Sequence, residues 1–120
     1  MTYLLLRVTA LPSHRLEILE LLTFCASRLH GARGCVHAEV YEAVNERRTI
    51  LYVEEWITSA GTHRHIQSDL YRGVLAALDL ADGSRDISFH LVSSTRSMDL
   101  IESLRGSPVD SSDETYTRTR

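Results

Sequence analysis

Trp56 is the chain's only tryptophan, and His65 follows it by nine positions. An indole at a strand end can stack on a planar aromatic ligand and donate its N–H to a ligand oxygen. It can equally be a core aromatic that seals a sheet against helices, which is the commoner use of such a residue. His65 has the near-neutral pKa that suits removal of a phenolic proton. Alternatively it holds a helix junction by bonding the backbone or Ser68. Glu54 shares a strand face with Trp56 and Tyr52, and a carboxylate on a covered face demands a partner. Arg7 and Arg72 are the candidates, as an ion pair in the wall or as the cation for a ligand oxyanion. Tyr52 and Tyr71 can orient a ligand through their hydroxyls or serve as amphipathic core. His37 and His90 alternate with apolar residues and read as wall residues, and His63 as solvated.

Other chemistries lack their residues. The chain has 13 Arg and no Lys, which excludes Schiff-base catalysis and a Lys-dependent phosphate loop. Six His occur without an HxxxH, HExxH or Cys-His pattern, so no metal site is expected. Gly31-Ala32-Arg33-Gly34 opens a strand rather than a helix and is no phosphate cradle. No Gly-rich loop suits flavin or nicotinamide, and no nucleophile elbow supports a Ser-His-Asp triad. Cys25 and Cys35 form neither a disulfide framework nor a metal knuckle, which points to a reducing cytoplasm. A net charge of −3 argues against nucleic acid. No segment approaches the ~20 apolar residues of a membrane span. The apolar run at Tyr3–Leu6 lacks the flanks of a signal peptide and reads as a strand.

The elements that must position these residues follow from periodicity. Residues 2–10 form a strand with apolar residues on both faces. A helix over about 14–29 has Ser13 as N-cap, an Ile18, Leu21, Leu22, Cys25, Leu29 stripe, and Gly31 as its C′ stop. Residues 35–43 are a strand with Val36, Ala38 and Val40 on one face. A polar connection, Asn45 to Arg48, turns the chain into a strand over 49–56. Ser59 caps a short helix to Gln67, Ser68 starts another, and 86–93 is the last strand. The order β-α-β-β-α-β predicts an α+β, ferredoxin-like fold, one four-stranded antiparallel sheet with helices on one face. Leu5, Leu51 and Val53 are left on the other face, which predicts a homodimer through it. The domain spans 1–95, a short helical extension 96–107, and the polar residues 108–120 a disordered tail.

Glu54-x-Trp56 closing the third strand, then His65, Ser68 and Tyr71, resembles the antibiotic biosynthesis monooxygenase (ABM) family of dimeric α/β barrels. Gly34-Cys35 matches that family's turn into strand two. The resemblance covers roughly residues 2–93. It implies a cofactor-independent monooxygenase that oxidises a quinol or a hydroxylated aromatic or polyketide with O2, using neither metal nor flavin. His65 and Trp56 would then be catalytic, and Tyr52, Glu54, Ser68, Tyr71, Arg72 and Arg7 would bind substrate. An electron-rich phenolate reduces O2 by itself once it is deprotonated, desolvated and confined. The same fold also serves a non-enzymatic, ligand-binding barrel and haem degraders. The latter carry an Asn on strand one, whereas Asn45, this chain's only Asn, lies in a loop.

Overall fold

Strand β1 (Thr2–Thr9) sets the layers: Thr2, Leu4, Leu6 and Val8 are buried, while Arg7 between them is exposed. The computed structural model describes residues 1–106, so the tail expected over 108–120 lies outside the described residues. After β1 come α1 (Pro12–Leu29), β2 (Cys35–Glu42), β3 (Thr49–Trp56), α2 (Ser59–Ile66), a 3-10 turn (Asp69–Tyr71), α3 (Arg72–Leu80), β4 (Arg85–Leu91) and α4 (Met98–Arg105). The strands form one antiparallel sheet in the order β2-β3-β1-β4, the expected ferredoxin-like arrangement.

Helix α1 lays Ile18, Leu22, Cys25 and Leu29 on the sheet. They meet Leu4, Leu6 and Val8 of β1, Ile50 and Tyr52 of β3, and Val74 and Ala77 of α3 in one core. The helix begins two residues earlier than Ser13 as N-cap would require. Leu11 is the cap residue and Pro12 the first helical residue, where a missing N–H and a preset φ cost nothing. The Leu11 N–H is satisfied by Asp82 Oδ1 at 2.8 Å, so Ser13 is left inside the helix. Gly31 does stop it, with φ +82°, and Gly34 at φ +85° makes the next turn, conformations in which a Cβ is disfavoured.

A bulge at the start of β2 changes the expected face. Cys35 opposes Trp56 and His37 opposes Glu55, so Val36 is the extra residue. It is exposed, and Cys35 takes the inward place beside Ala38 and Val40. On the uncovered face of the sheet lie Leu5, Arg7, Leu51, Val53 and Tyr41.

Two leucines of α1 separate core from surface. Leu22 is fully buried and Leu16 is 64% exposed. Leu22→Ala should cost about 2–5 kcal/mol in urea unfolding, and Leu16→Ala should stay within about 0.5 kcal/mol.

Candidate active site

Period-two alternation on β3 points Tyr52, Glu54 and Trp56 to the helix side, and all three are buried. Helix α2 returns over them. Thr58 caps it by accepting the Gly61 N–H at 3.2 Å, which fixes where the helix starts. One face of α2 then presents Gly61 and His65 to the indole. A Cβ at Gly61 would sit 3.1 Å from Trp56 Cε3, so glycine is what lets the helix approach this closely.

Glu54 is the centre. Its carboxylate is fully buried and accepts from three side chains: Trp56 Nε1 to Oε1 at 3.0 Å, Tyr52 OH to Oε2 at 2.5 Å, and His65 Nε2 to Oε2 at 2.7 Å. Neither arginine named from the sequence is involved. Arg7 is exposed on the opposite face of the sheet, where it lines a shallow cavity with Tyr41 and Leu51. The Arg72 side chain is 83% exposed and pairs with Asp69. The partner of Glu54 is the His65 imidazole, supported by a phenol and an indole. The indole N–H, which the sequence reading could give to a ligand oxygen, goes to Glu54.

Aromatic rings enclose this pair. His65 stacks on Trp56 with centroids 5.3 Å apart and planes at 28°. Tyr71 meets the imidazole edge-on at 5.2 Å and 84°. Ser68 touches none of the reactive atoms; its hydroxyl donates to the His65 carbonyl at 2.6 Å and closes the end of α2. Ser68 is therefore a positioning residue for the His65 backbone.

Cys25, from α1, is the member that sequence reading left in the apolar core. Its Sγ lies 3.2 Å from the Tyr52 hydroxyl. One hydroxyl proton serves one acceptor at a time, and the 2.5 Å contact assigns it to Glu54. The thiol then donates to the phenol oxygen, giving a relay from Cys25 through Tyr52 to Glu54. Burial pushes the Cys25 thiol up to about 11. Burial, and next the Glu54 charge, push Tyr71 up to about 12 and Tyr52 far above the usual phenol range. The helical spacing of Cys25 signalled only that it faces inward.

The ligand atoms of Cys25, Glu54 and His65 lie within 4.8 Å of one another, the S/O/N set of a transition-metal site. Their geometry is that of hydrogen bonding. The His65–Glu54 separation of 2.7 Å is shorter than the ligand–ligand edge of about 3.4 Å in a tetrahedral site with ~2.1 Å bonds.

Two cavities are walled by the surrounding elements, and no residue of the cluster lines either. One of about 320 Å³ runs between α2 and the end of β4, walled by Thr2, Ser59, Thr62, His63, Ile66, Phe89 and Leu91 and almost wholly apolar. His63, read as solvated, stands at its rim. A more polar groove of about 600 Å³ follows α1 and β2 and includes His30 and His37.

Sheet order and helix placement define a ferredoxin-like α+β domain, with a buried polar-aromatic cluster at the end of the third strand. The chain belongs to the antibiotic biosynthesis monooxygenase family, whose family model matches residues 1–77. Among solved structures, a "putative antibiotic biosynthesis monooxygenase" of Deinococcus radiodurans is 18% identical, with a TM-score of 0.71 over 81% of this chain and 97% of its own. The Rv0793 protein of Mycobacterium tuberculosis is 15% identical, with a TM-score of 0.70 over 80% and 98%. A variant of SnoaB, a cofactor-independent oxygenase from Streptomyces nogalater, is 12% identical, with a TM-score of 0.65 over 78% and 94%. These likenesses show the fold. No curated protein matches the chain. Among the described residues no helix is long and apolar enough to cross a membrane.

Two outcomes test this site. Glu54→Leu leaves three buried donors without an acceptor and should cost about 3–5 kcal/mol, whereas Tyr52→Phe should cost about 1–3 kcal/mol, both by urea unfolding. The raised pKa values give a pH dependence. The folded state holds the Cys25 and Tyr71 protons at pH values where the unfolded chain releases them. Unfolding free energy should therefore fall as pH rises from about 9 towards 12, the window between the ordinary values of these groups and the raised ones.

Proposed function

We propose that the protein is a cofactor-independent monooxygenase acting on a quinol or another hydroxylated aromatic, with His65 as the general base. The observation that carries this reading is the His65 Nε2–Glu54 Oε2 hydrogen bond of 2.7 Å, buried among three aromatic side chains. A carboxylate on one imidazole nitrogen fixes the ring's tautomer and orientation and leaves the other nitrogen to accept a proton. With Nε2 committed to Glu54, His65 Nδ1 is the atom that takes the substrate's phenolic proton.

The phenolate then supplies electrons to O2. Two electrons and two protons leave the substrate, one oxygen atom enters it as a quinone carbonyl, and the other leaves as water. The protein binds, dries and orients, and the substrate is the reductant. Membership of the monooxygenase family supports this chemistry, as does the likeness to a cofactor-independent oxygenase. Trp56 acts here through its stacked contact with His65. Access to the imidazole requires α2 to move away from β3, since His65 is only 5% exposed and Tyr71 only 6%. The half-buried Leu5, Leu51 and Val53 on the open sheet face support a homodimer that closes the two sheets into a barrel.

A second reading also has its own observation. Tyr52 and Glu54 are fully buried and every donor around the carboxylate is used, as in a polar core that supports a non-catalytic ligand-binding barrel. Oxygen uptake separates the two. Chelator-treated protein with quinols, naphthols or hydroxyanthrones should show saturable uptake above autoxidation, reduced at least tenfold by His65→Ala. Uptake equal to autoxidation, together with Trp56→Phe lowering stability by about 1–3 kcal/mol without altering ligand affinity, would establish the second reading instead.

A further inference from the structure

Strand register arranges the open face of the sheet in cross-strand rows. His37 of β2, Glu55 of β3, Tyr3 of β1 and His90 of β4 form the first. Glu39, Val53, Leu5 and Ser88 form the second, and Tyr41, Leu51, Arg7 and Asp86 the third. Leu5, Leu51 and Val53 thus make a small apolar centre on the two inner strands, β1 and β3. Most of the charge stands around it, the arrangement of an interface core with a polar rim.

The charge on this face is unbalanced. Three carboxylates, Glu39, Glu55 and Asp86, share it with one guanidinium, Arg7, and among the described residues none of the four is in an ion pair. A two-fold contact sets a face against itself. With its imidazoles neutral, this face therefore meets a copy of its own negative charge, and facing like charges oppose association.

Imidazole is the side chain that changes charge between about pH 5 and 8, and the face holds one on each outer strand. Neither imidazole is tied to a carboxylate of its own protomer among the described residues. His37 Nε2 meets the Tyr41 hydroxyl at 3.3 Å, and His90 Nε2 meets the Ser88 hydroxyl at 2.8 Å. A hydroxyl donates to a neutral ring nitrogen or accepts from a charged one, so proton uptake needs no repacking here. From the helix side the titratable neighbour is His30 of α1, which borders the same groove as His37. With His37 and His90 charged, positive and negative groups on the face are equal in number.

We propose that the open face is a proton-gated docking surface for a second copy of this chain, a contact that tightens as His37 and His90 take up protons. This rests on the homodimer reading given above and supplies its regulation. It does not depend on the oxygenase chemistry.

Sedimentation equilibrium of the full chain in dilute salt should give a dimer dissociation constant at least tenfold lower near pH 5.5 than near pH 8. Added salt should tighten the dimer near pH 8, because it screens the repulsion; loosening there would overturn the proposal. His37→Gln combined with His90→Gln keeps hydrogen-bonding groups and removes the titration, so the double variant should show one constant at both pH values. His30→Gln should respond as the parent does. A response that survives in the double variant, or is missing from the parent, would overturn the gate. Val53→Glu, in the apolar centre, tells that failure from failure of the homodimer reading. A dimer that Val53→Glu abolishes, yet whose constant ignores pH in the parent, uses the open face without the gate. A dimer that Val53→Glu leaves intact lies elsewhere, and both readings fall. A parent chain that stays monomeric at both pH values overturns both as well.

Discussion

The fold is organised around one buried carboxylate. Removing an ionised Glu from water costs several kcal/mol even after relaxation, and among the described residues no Arg pairs with Glu54. The compensation is distributed. Three donors from β3 and α2 converge on two oxygen atoms, and the Tyr52 hydroxyl links the cluster onward to Cys25 on α1. Each donor arrives from an element that must already be in place, so the cost is met only when sheet, α1 and α2 are assembled together. The carboxylate thus makes several packing decisions interdependent.

Helix α2 is where core and surface meet. One of its faces carries Gly61 and His65 against the indole, and the adjoining face, with Ser59, His63 and Ile66, borders the apolar cavity. It is short, its mean composition is polar, and Gly61 weakens it as a helix. Its position rests on the Thr58 cap and on the stacking of His65 over Trp56. The His65–Glu54 hydrogen bond also ties it to β3, so it cannot leave the sheet without opening the cluster.

Much of this was legible in the sequence because it depends on periodicity. Alternation along 49–56 placed Tyr52, Glu54 and Trp56 on one face, and the covered carboxylate announced the need for a partner. The identity of that partner was not legible. Arg7 was excluded by register, since it pairs with Leu51 and shares that residue's open face, and register is a property of two strands rather than one. Arg72 was excluded by the 3-10 turn that rotates the start of α3 towards solvent. Val36 was misplaced because a bulge shifts alternation by one residue with no composition signal. The contribution of Cys25 was hidden for a related reason: a thiol on a helix stripe looks like any small apolar residue until a phenol is brought against it.

Tyr52, Glu54 and Trp56 occupy alternate positions of a single strand, with Tyr52 opposite Leu6 and Glu54 opposite Leu4 on the neighbouring strand. Sliding β3 by one residue against β1 would turn all three outward together and bring Leu51, Val53 and Glu55 beneath the helices. An apolar strand with hydrophobic residues on both faces tolerates such a slip at little cost, and β3 is close to that condition. The hydrogen-bonded triplet removes the degeneracy. His65 finds its acceptor, and Cys25 its phenol, in only one of the two alignments. The polar cluster is therefore a device for specifying alignment in a sheet whose hydrophobic pattern alone would leave the choice open.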